Sequence, residues 1–260
     1  MEFLDPTVLA VLALVAFVAG FIDAVAGGGG MLTVPALLSL GLPPHIALGT
    51  NKLAATFASS TAAFTYYRKR LFKPQCWLRA FIATLVGATV GTMAVDAVST
   101  DWLEKILPLI ILAAALYTIW HKTPDANHNS ATPAPCPMLN KKQYGQGFVL
   151  GFYDGVAGPG TGAFWTVSSM ALYRLNILLA SGLAKAMNFT SNLTSLVTFA
   201  MLGHINWGLG LIMGICLMAG AFVGAHSAIH FGAKFIRPVF VTVVSILAIK
   251  LAYDAWFVSL

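Results

Sequence analysis

Apolar segments of two lengths alternate with short polar segments along this chain. Six of the apolar segments have about 20 residues or more, enough α-helix to cross the ~30 Å hydrocarbon core of a bilayer. They are residues 46–66, 77–98, 102–120, 177–201, 207–230 and 236–257. Two further apolar segments, residues 31–40 and 163–173, are too short to cross. The pattern predicts an all-α polytopic membrane protein.

A lone aspartate followed by clustered glycines occurs near the end of two other apolar segments, residues 7–26 and 144–157. The two stretches contain Asp23 followed by Gly27, Gly28, Gly29 and Gly30, and Asp154 followed by Gly158, Gly160 and Gly162. Glycine lets the backbone leave the helical conformation, and an ionisable side chain in an apolar segment is costly enough to indicate function. We interpret both stretches as glycine-broken or re-entrant membrane helices that face a shared, solvated site.

The two halves of the chain are homologous. Seven residues of the first glycine stretch recur in the second at an offset of 131, and six further residues recur at an offset of 133, which places Lys52 on Lys185. Residues 121–143 are rich in Pro, Asn, His and Lys and have no apolar period, which is typical of a solvated linker. The predicted organisation is a first membrane repeat at 1–120, the polar linker at 121–143 and a second membrane repeat at 144–260.

The overall composition also favours a membrane protein. Hydrophobic residues make up 58% of the chain and charged residues 9%, which is far below the quarter that is usual in a soluble domain. The net charge of +6 is small and lies in short loops, so we assign it to membrane topology and expect no nucleic-acid partner. Residues 1–6 contain no basic side chain, so we expect the first segment to be retained and not cleaved as a signal peptide.

Whether the repeats are parallel or inverted depends on how often each half crosses the bilayer. If the first helix and the short segment of each half form a re-entrant pair, each half crosses three times and the second half is inverted. The basic residues that then face the cytoplasm are Arg68, Lys69, Arg70, Lys73, Arg79, Lys122, Lys141, Lys142, Arg174, Lys234 and Arg237. If the first helix of each half crosses fully, the last three of these move outside. Since cytoplasmic loops are enriched in Lys and Arg, inverted repeats are favoured.

The broken helices predict a site for a small anion. In many secondary transporters with inverted repeats the substrate lies near the bilayer midplane between the repeats. The unpaired N–H groups and the dipole at the start of a half-helix favour an anion. The predicted substrate-binding residues are Gly27, Gly28, Gly29, Gly30, Thr50, Asn51, Lys52, Gly158, Gly160, Gly162, Lys185 and Asn188. Asp23 and Asp154 are predicted to act in coupling or gating.

Each of these assignments has a plainer alternative. A lysine at this depth can extend along its helix to the membrane surface, which is called snorkelling. The aspartates could cap the short segments or form structural ion pairs with the lysines. Glycines four residues apart often serve close helix packing, and we expect this of Gly87/Gly91, Gly147/Gly151, Gly210/Gly214 and Gly220/Gly224. The recurrence of the lysines in both repeats favours a functional role.

Several of these features resemble a known family. The doubled glycine-rich motif, the Ala-Leu-Gly-Thr-Asn-Lys run at 47–52, Pro35 and the long basic first loop are similar to those of the TauE/SafE sulfite exporter family, especially its YfcA-like branch. The resemblance covers nearly the whole chain outside the linker. It implies a permease for small sulfur-containing anions, such as sulfite or organosulfonates, in the bacterial plasma (inner) membrane. Pro159 and Thr161 depart from the motif because they interrupt the second glycine run and stiffen that arm.

The expected function is a secondary transporter, an exporter, that moves a small anion by alternating access of its two repeats. We expect no enzyme activity, catalytic residue, metal or cofactor. The expected partners are the anion and the lipid bilayer, and glycine-spaced helix faces permit a homodimer. Two other classes stay open. Asp23 and Asp154 could form the dyad of an intramembrane aspartyl protease, which would need their carboxyl groups within hydrogen-bonding reach. The chain could also be a structural membrane assembly protein.

Overall fold

The computed structural model describes residues 5–103 and 141–232, with isolated positions at 105, 106, 235, 238 and 242. This part contains eight α-helices of which both ends are described: α1 (Pro6–Ala26), α2 (Gly30–Ser39), α3 (Pro44–Arg68), α4 (Leu78–Asp96), α5 (Lys142–Val156), α6 (Thr161–Tyr173), α7 (Ile177–Met201) and α8 (Trp207–Phe231). No strand occurs among these residues, so the all-α fold class is confirmed for them. The predicted linker at 121–143 and the predicted spans at 102–120 and 236–257 lie almost wholly outside the described residues.

Local sequence sets where several helices begin and end. α1 begins behind Asp5, whose carboxylate accepts the Thr7 N–H at 2.8 Å, and it ends at Gly27. Asn176 and Asn206 accept backbone N–H groups in the first turns of α7 and α8, at 2.9 and 3.1 Å. Such side-chain acceptors satisfy N–H groups that have no partner inside the first turn of a helix. The local sequence therefore determines where these helices begin.

Several charged and polar side chains are buried in the structure, and many large apolar side chains are exposed. Lys52, Lys185 and Asp154 are at most 2% exposed, whereas Leu14 and Met93 are 65% and 59% exposed. In water this arrangement would be unstable, but an apolar outer surface is what a hydrocarbon solvent requires. The chain is a membrane protein.

Three helices in the described part are long and apolar enough to cross a membrane, judged by length and composition. They are Pro6–Ala26, Pro74–Asp96 and Trp207–Phe231, with mean hydropathies of 2.6, 1.6 and 2.1. α3 and α7 have 25 residues each, as many as α8, but they carry many of the buried polar side chains. α3 packs on α7 and α8, and α7 also packs on α4 and α6. Because these two central helices contact protein on several sides, their polar residues lower the hydropathy without facing lipid.

Glycines bring helices of the two halves into close parallel contact. Gly220 and Gly224 lie against Phe17 and Phe21, so α1 and α8 run side by side in the same direction. α4 and α5 form the equivalent pair, in which the contact glycines are Gly87, Gly91, Gly147, Gly151 and Gly155. A Cβ at any of these positions would collide with the backbone of the facing helix, and at Gly210 and Gly214 it would collide with the Leu53 and Phe57 side chains of α3. The packing role predicted for the four glycine pairs is confirmed.

The central helices α3 and α7 cross each other in opposite directions. Gly49, near the start of α3, lies against the carbonyl of His204, just beyond the end of α7. Gly182, near the start of α7, lies against Leu71, just beyond the end of α3. Since α3 and α7 occupy equivalent positions in the two halves, equivalent helices of the two halves are antiparallel where they meet.

The short helices fold back beside the helices that precede them. The side-chain amide of Gln146 on α5 donates to the hydroxyls of Ser168 and Ser169 on α6, at 2.7 and 3.1 Å. α2 returns from the end of α1 toward the start of α3, where Val34 and Leu48 share a buried apolar cluster. Each half therefore begins with a helical hairpin whose tip is the glycine stretch.

Candidate functional site

The two glycine stretches have related backbone geometry. Gly27 and Gly158 follow α1 and α5 with φ of +83° and +90°, a left-handed conformation that favours glycine. α2 then begins at Gly30 and α6 at Thr161, which are again 131 residues apart. We call residues 27–30 the first glycine arm and residues 158–162 the second glycine arm. The sequence repeat is also a repeat of local structure at this point.

The two glycine arms touch each other. A Cβ on Gly162 would lie 2.6 Å from the Cα of Gly27, and a Cβ on Gly30 would lie 3.4 Å from the Cα of Pro159. Gly27 and Gly162 thus pack backbone against backbone, which only glycine permits. The remaining predicted glycines of the arms are Gly28, Gly29, Gly158 and Gly160. The structure therefore brings together both arms that the sequence placed at the site.

Lys52 of the first repeat pairs with Asp154 of the second. Its Nζ lies 2.8 Å from Asp154 Oδ1 and also donates to the Asp154 backbone carbonyl. A third acceptor is the side-chain oxygen of Asn192, at 3.3 Å. Three acceptors match the three donors of an ammonium group. Lys52 reaches inward to the second repeat, so snorkelling to the membrane surface is wrong for this residue.

The Asp154 carboxylate is held on both oxygens. Oδ1 accepts the Thr161 hydroxyl at 3.2 Å in addition to Lys52, and Oδ2 accepts the hydroxyl of Ser191. Gly158 lies against the ion pair, because a Cβ there would come within 3.0 Å of both Asp154 Oδ1 and Lys52 Nζ. A buried charge is tolerated only when it is paired and hydrogen-bonded in this way. The hydroxyl of Thr161, which interrupts the second glycine run, lies between the Asp154 carboxylate and the Gly158 carbonyl, at 3.2 and 2.7 Å.

Lys185 of the second repeat pairs with Asp23 of the first, but less tightly. Lys185 is 1% exposed and donates to the backbone carbonyl of Asp23. Its Nζ lies 3.8 Å from Asp23 Oδ2, and the Asp23 side chain is 16% exposed. The other carboxylate oxygen accepts the Gly29 N–H at 3.2 Å. Asp23 thus holds Gly29, the residue that precedes α2, and pairs with a lysine at the same time.

The predicted neutral donors are not all at the arms. The Asn188 side-chain nitrogen is beside Gly162, since a Cβ on that glycine would lie 2.9 Å from it. The Asn188 side-chain oxygen is buried and has no hydrogen-bond partner in the described part of the chain. Asn51 accepts the Thr33 hydroxyl at 2.5 Å and so joins α3 to α2. Thr50 accepts the backbone N–H of Asn206 at 2.9 Å and supports the start of α8 instead of the arms.

Four contributing residues were not predicted from the sequence. Thr161, Ser191 and Asn192 contact the Lys52–Asp154 pair. Thr33 supports Asn51 from α2. A signal for Asn192 was present, because it lies four residues after Asn188 and therefore on the same face of α7. Ser191 and Thr33 are common residues in membrane helices and give no comparable signal.

The site is closed to solvent in this conformation. Lys52 and Lys185 are each 1% exposed and Asp154 is 2% exposed. Both ammonium groups are paired with aspartates, so an anion would have to compete with the carboxylates for them. The starts of α2 and α6 lie at the arms and would favour such an anion through their dipoles. The site is therefore a buried contact between the two repeats that is held by two ion pairs.

Comparison with known proteins gives consistent matches over nearly the full chain. Residues 12–251 match the family model described as Sulfite exporter TauE/SafE. The "Probable membrane transporter protein ORF9" of a Sinorhizobium species is 39% identical over 248 residues, covering 95% of this chain and 93% of the relative. The "Probable membrane transporter protein" of Haemophilus influenzae is 38% identical over 250 residues, 96% of each chain. The "Probable membrane transporter protein YfcA" of Escherichia coli K12 is 35% identical over 257 residues, 96% of this chain and 92% of the relative. No solved structure matches the chain significantly.

Proposed function

This chain belongs to the TauE/SafE sulfite exporter family and is a membrane transporter, and we propose that it exports a small anion such as sulfite or an organosulfonate. The proposed route crosses the bacterial plasma (inner) membrane, which the chain spans several times. Transport occurs by alternating access of two inverted repeats, with the substrate bound between the glycine arms. The proposed partners are this anion and the lipid bilayer, with no nucleic acid.

The observation that carries the proposal is the reciprocal pairing of charges across the repeats. Lys52 of the first repeat bonds to Asp154 of the second, and Lys185 of the second bonds to Asp23 of the first. Both lysines lie next to the glycine arms, where two half-helices begin. Charges buried at such a depth are expensive and usually serve transport of an ion or substrate. A purely structural contact between the repeats would be cheaper with apolar side chains.

Inverted repeats are supported by the directions of the helices. α3 and α7 run oppositely at their contact, while α1 and α8, and likewise α4 and α5, run in the same direction. These directions are what a two-fold axis in the membrane plane produces when it exchanges the two repeats. The hairpins α1–α2 and α5–α6 then enter from opposite faces and meet at their glycine tips, as the re-entrant interpretation requires.

The geometry suggests how an anion gains access to the lysines. In the closed state each aspartate occupies the position that a substrate anion would take beside the ammonium group. An anion entering between the arms competes with the carboxylate, and the looser Lys185–Asp23 pair, at 3.8 Å, opens first. The released Asp23 carboxylate, already 16% exposed, then gates the pathway or couples transport to a proton. Of the other predicted binding residues, Asn51 joins α3 to α2, and Asn188 lies beside Gly162 of the second glycine arm.

Export requires little coupling energy. Moving one negative charge out of a cell with a negative interior is favourable by ~2.3 kcal/mol per 100 mV. A weak, exchangeable anion site is therefore sufficient, and tight binding would slow release. This agrees with lysines that are partly neutralised by aspartates.

Two other functions receive less support. An intramembrane aspartyl protease needs two carboxyl groups that share a proton, whereas Asp23 and Asp154 each pair with a lysine of the other repeat. A structural assembly protein would not need ionisable groups at a closed internal contact. The family relatives bear names of membrane transporters, which agrees with transport.

The proposal is tested by a substrate panel in proteoliposomes. Purified protein is reconstituted and offered sulfite, organosulfonates, phosphate and chloride, with and without a membrane potential and a pH gradient. We expect uptake of a sulfur-containing anion that responds to the potential. Lys52→Ala and Lys185→Ala should abolish it, while Lys73→Ala in the exposed basic loop should leave it unchanged.

The outcomes distinguish an error in the proposed substrate from an error in the proposed binding residues. Transport of phosphate or chloride alone would overturn the assignment to sulfur-containing anions but keep an anion transporter. Normal transport by both well-folded lysine variants would remove the lysines from the site. Transport of none of the anions by wild-type protein that reconstitutes in folded form would overturn the proposed function.

A further inference from the structure

A cavity separate from the glycine arms lies between the last turns of α3 and α8. Its volume is about 650 Å³. α3 and α8 run in the same direction, since Gly210 lies against Leu53 and Gly214 against Phe57, so the final turns of both helices flank the opening. We call it the α3–α8 groove.

The groove carries positive charge without a matching carboxylate. Arg68 and Lys69 line it. The ion pairs among the described residues involve Lys52, Lys185 and His204 and leave Arg68 and Lys69 out. Among the described helices, therefore, these two cations find no acidic partner. An anionic occupant would complement them.

The hydroxyl groups in the groove are already used by their own helix. Ser60, Thr61 and Thr65 donate to backbone carbonyls of α3 at 2.9, 3.0 and 2.8 Å. Recognition of an anion in the groove therefore depends on the basic side chains and not on hydroxyl donors. Removing the basic side chains should consequently remove most of the binding.

The same groove also has an apolar wall that faces outward. Phe64 and Phe222 line it and are 60% and 55% exposed. The guanidinium carbon of Arg68 lies 5.8 Å from the centre of the Phe64 ring, so charge and apolar surface adjoin directly. A free inorganic anion would satisfy the charge but leave the rings uncovered. An occupant with an anionic head and an acyl chain satisfies both.

We propose that the α3–α8 groove binds one anionic phospholipid, with its phosphate at Arg68 and Lys69 and an acyl chain along Phe64 and Phe222. Basic pockets between membrane helices at a headgroup level are suited to such lipids. The site is independent of the substrate site, because the groove residues lie at the ends of α3 and α8 and the arms lie at the tips of the hairpins. The proposal requires only that the chain is a membrane protein.

The test measures lipid retention by the full-length protein. Protein purified in mild detergent and stripped of lipid is mixed with dioleoyl phosphatidylglycerol or, as a neutral comparison, dioleoyl phosphatidylcholine. Native mass spectrometry then counts the bound lipids. We expect one phosphatidylglycerol to be retained preferentially by wild-type protein. Arg68→Gln/Lys69→Gln should weaken that binding roughly 30-fold, since each basic residue contributes about 1 kcal/mol to attraction of an anionic lipid.

A matched control comes from the same basic loop. Arg70→Gln/Lys73→Gln removes the same charge from exposed positions that do not line the groove, and it should retain phosphatidylglycerol as wild-type does. Equal losses in the two double variants would overturn the proposal in favour of general surface attraction. Displacement of the lipid by millimolar inorganic phosphate would instead indicate a site for a soluble anion. A change from dimer to monomer in the Arg68→Gln/Lys69→Gln variant, with no lipid bound to wild-type, would assign the groove to a contact between two copies.

Discussion

At the scale of single residues, the two buried ion pairs differ in how tightly the protein holds them. Lys52 lies 2.8 Å from Asp154, and both side chains are almost fully buried. Lys185 lies 3.8 Å from Asp23, whose side chain is 16% exposed. When one partner of a buried pair is removed, the other is left as an uncompensated charge. A partly exposed carboxylate can recover some hydration, whereas a buried one cannot.

We therefore expect Lys52→Met to be more damaging than Lys185→Met, although the two lysines occupy equivalent positions in the repeats. Lys52→Met should lower the free energy of unfolding by about 3–5 kcal/mol, and Lys185→Met should lower it by clearly less. Methionine keeps the unbranched side chain as far as the ε-carbon and removes the ammonium group with its charge and hydrogen bonds. Thermal unfolding of the purified protein in detergent measures both effects, and equal losses would contradict the difference in pair geometry.

A double variant shows whether the Lys52–Asp154 pair is needed for more than stability. Lys52→Met/Asp154→Asn removes both charges, so no uncompensated charge remains and much of the lost stability should return. Transport should stay absent, because the ammonium group that we propose to bind the anion is gone. If transport returned together with stability, the pair would be structural only.

The residues of the site were partly predictable from the sequence. Lysines and aspartates stand out in apolar segments, and their recurrence at fixed offsets identified Lys52, Lys185, Asp23 and Asp154. Which lysine meets which aspartate was not predictable, because it depends on how distant helices pack. Thr50 was predicted as a neutral donor within the Ala-Leu-Gly-Thr-Asn-Lys run. Its hydroxyl accepts the Asn206 N–H instead, because one residue along a helix turns the side chain by about 100° to another neighbour.

At the scale of helices, the boundaries followed closely from local signals. The segment predicted at 177–201 coincides with α7, and the one at 31–40 differs from α2 by one residue at each end. Prolines, capping asparagines and left-handed glycines act within a turn of the boundary, so they can be read from the sequence. The pairing of α1 with α8 and of α4 with α5 depends on contacts between distant parts of the chain, so it could not be read from the sequence.

The contact between the glycine arms can be tested with two glycines that share a backbone conformation. Gly27 and Gly41 have φ of +83° and +77°, but Gly27 packs on Gly162 while Gly41 has open space where a Cβ would stand. Gly41→Ala should cost only backbone strain, about 1–2 kcal/mol. Gly27→Ala should cost more and should also reduce transport, because the added methyl group pushes the arms apart.

Thermal unfolding and proteoliposome transport, measured side by side, separate these two effects. Gly41→Ala serves as the control for strain, since it lies outside the arms. Equal stability and equal transport of Gly27→Ala and Gly41→Ala would contradict a functional contact between the arms.

At the scale of the whole molecule, the helices that pack together come from different repeats. α1 and α3 both pack on α8, while α5 and α7 both pack on α4. These contacts define two groups, α1 with α3 and α8, and α4 with α5 and α7, each built from both halves of the chain and joined to the other through the α3–α7 contact. The Lys52–Asp154 pair joins α3 to α5, and the Lys185–Asp23 pair joins α7 to α1. Both ion pairs bridge the two groups, which is where the proposed alternating access would need contacts that open and close.

Inverted repeats also make a prediction about which loops share a side of the membrane. The rings of Trp77 and Tyr173 lie 4.8 Å apart, so the start of α4 and the end of α6 are at one end of the molecule. In a cysteine-free background, we expect Lys73→Cys and Arg174→Cys to react with an impermeant maleimide from the cytoplasmic side only. Met201→Cys, at the exposed end of α7, should react from the opposite side only. Right-side-out spheroplasts and inside-out vesicles provide the two sides. Labelling of Arg174→Cys from outside would mean that the short helix α6 does not return to the face at which α5 began, and the re-entrant hairpins and the inversion would fail together.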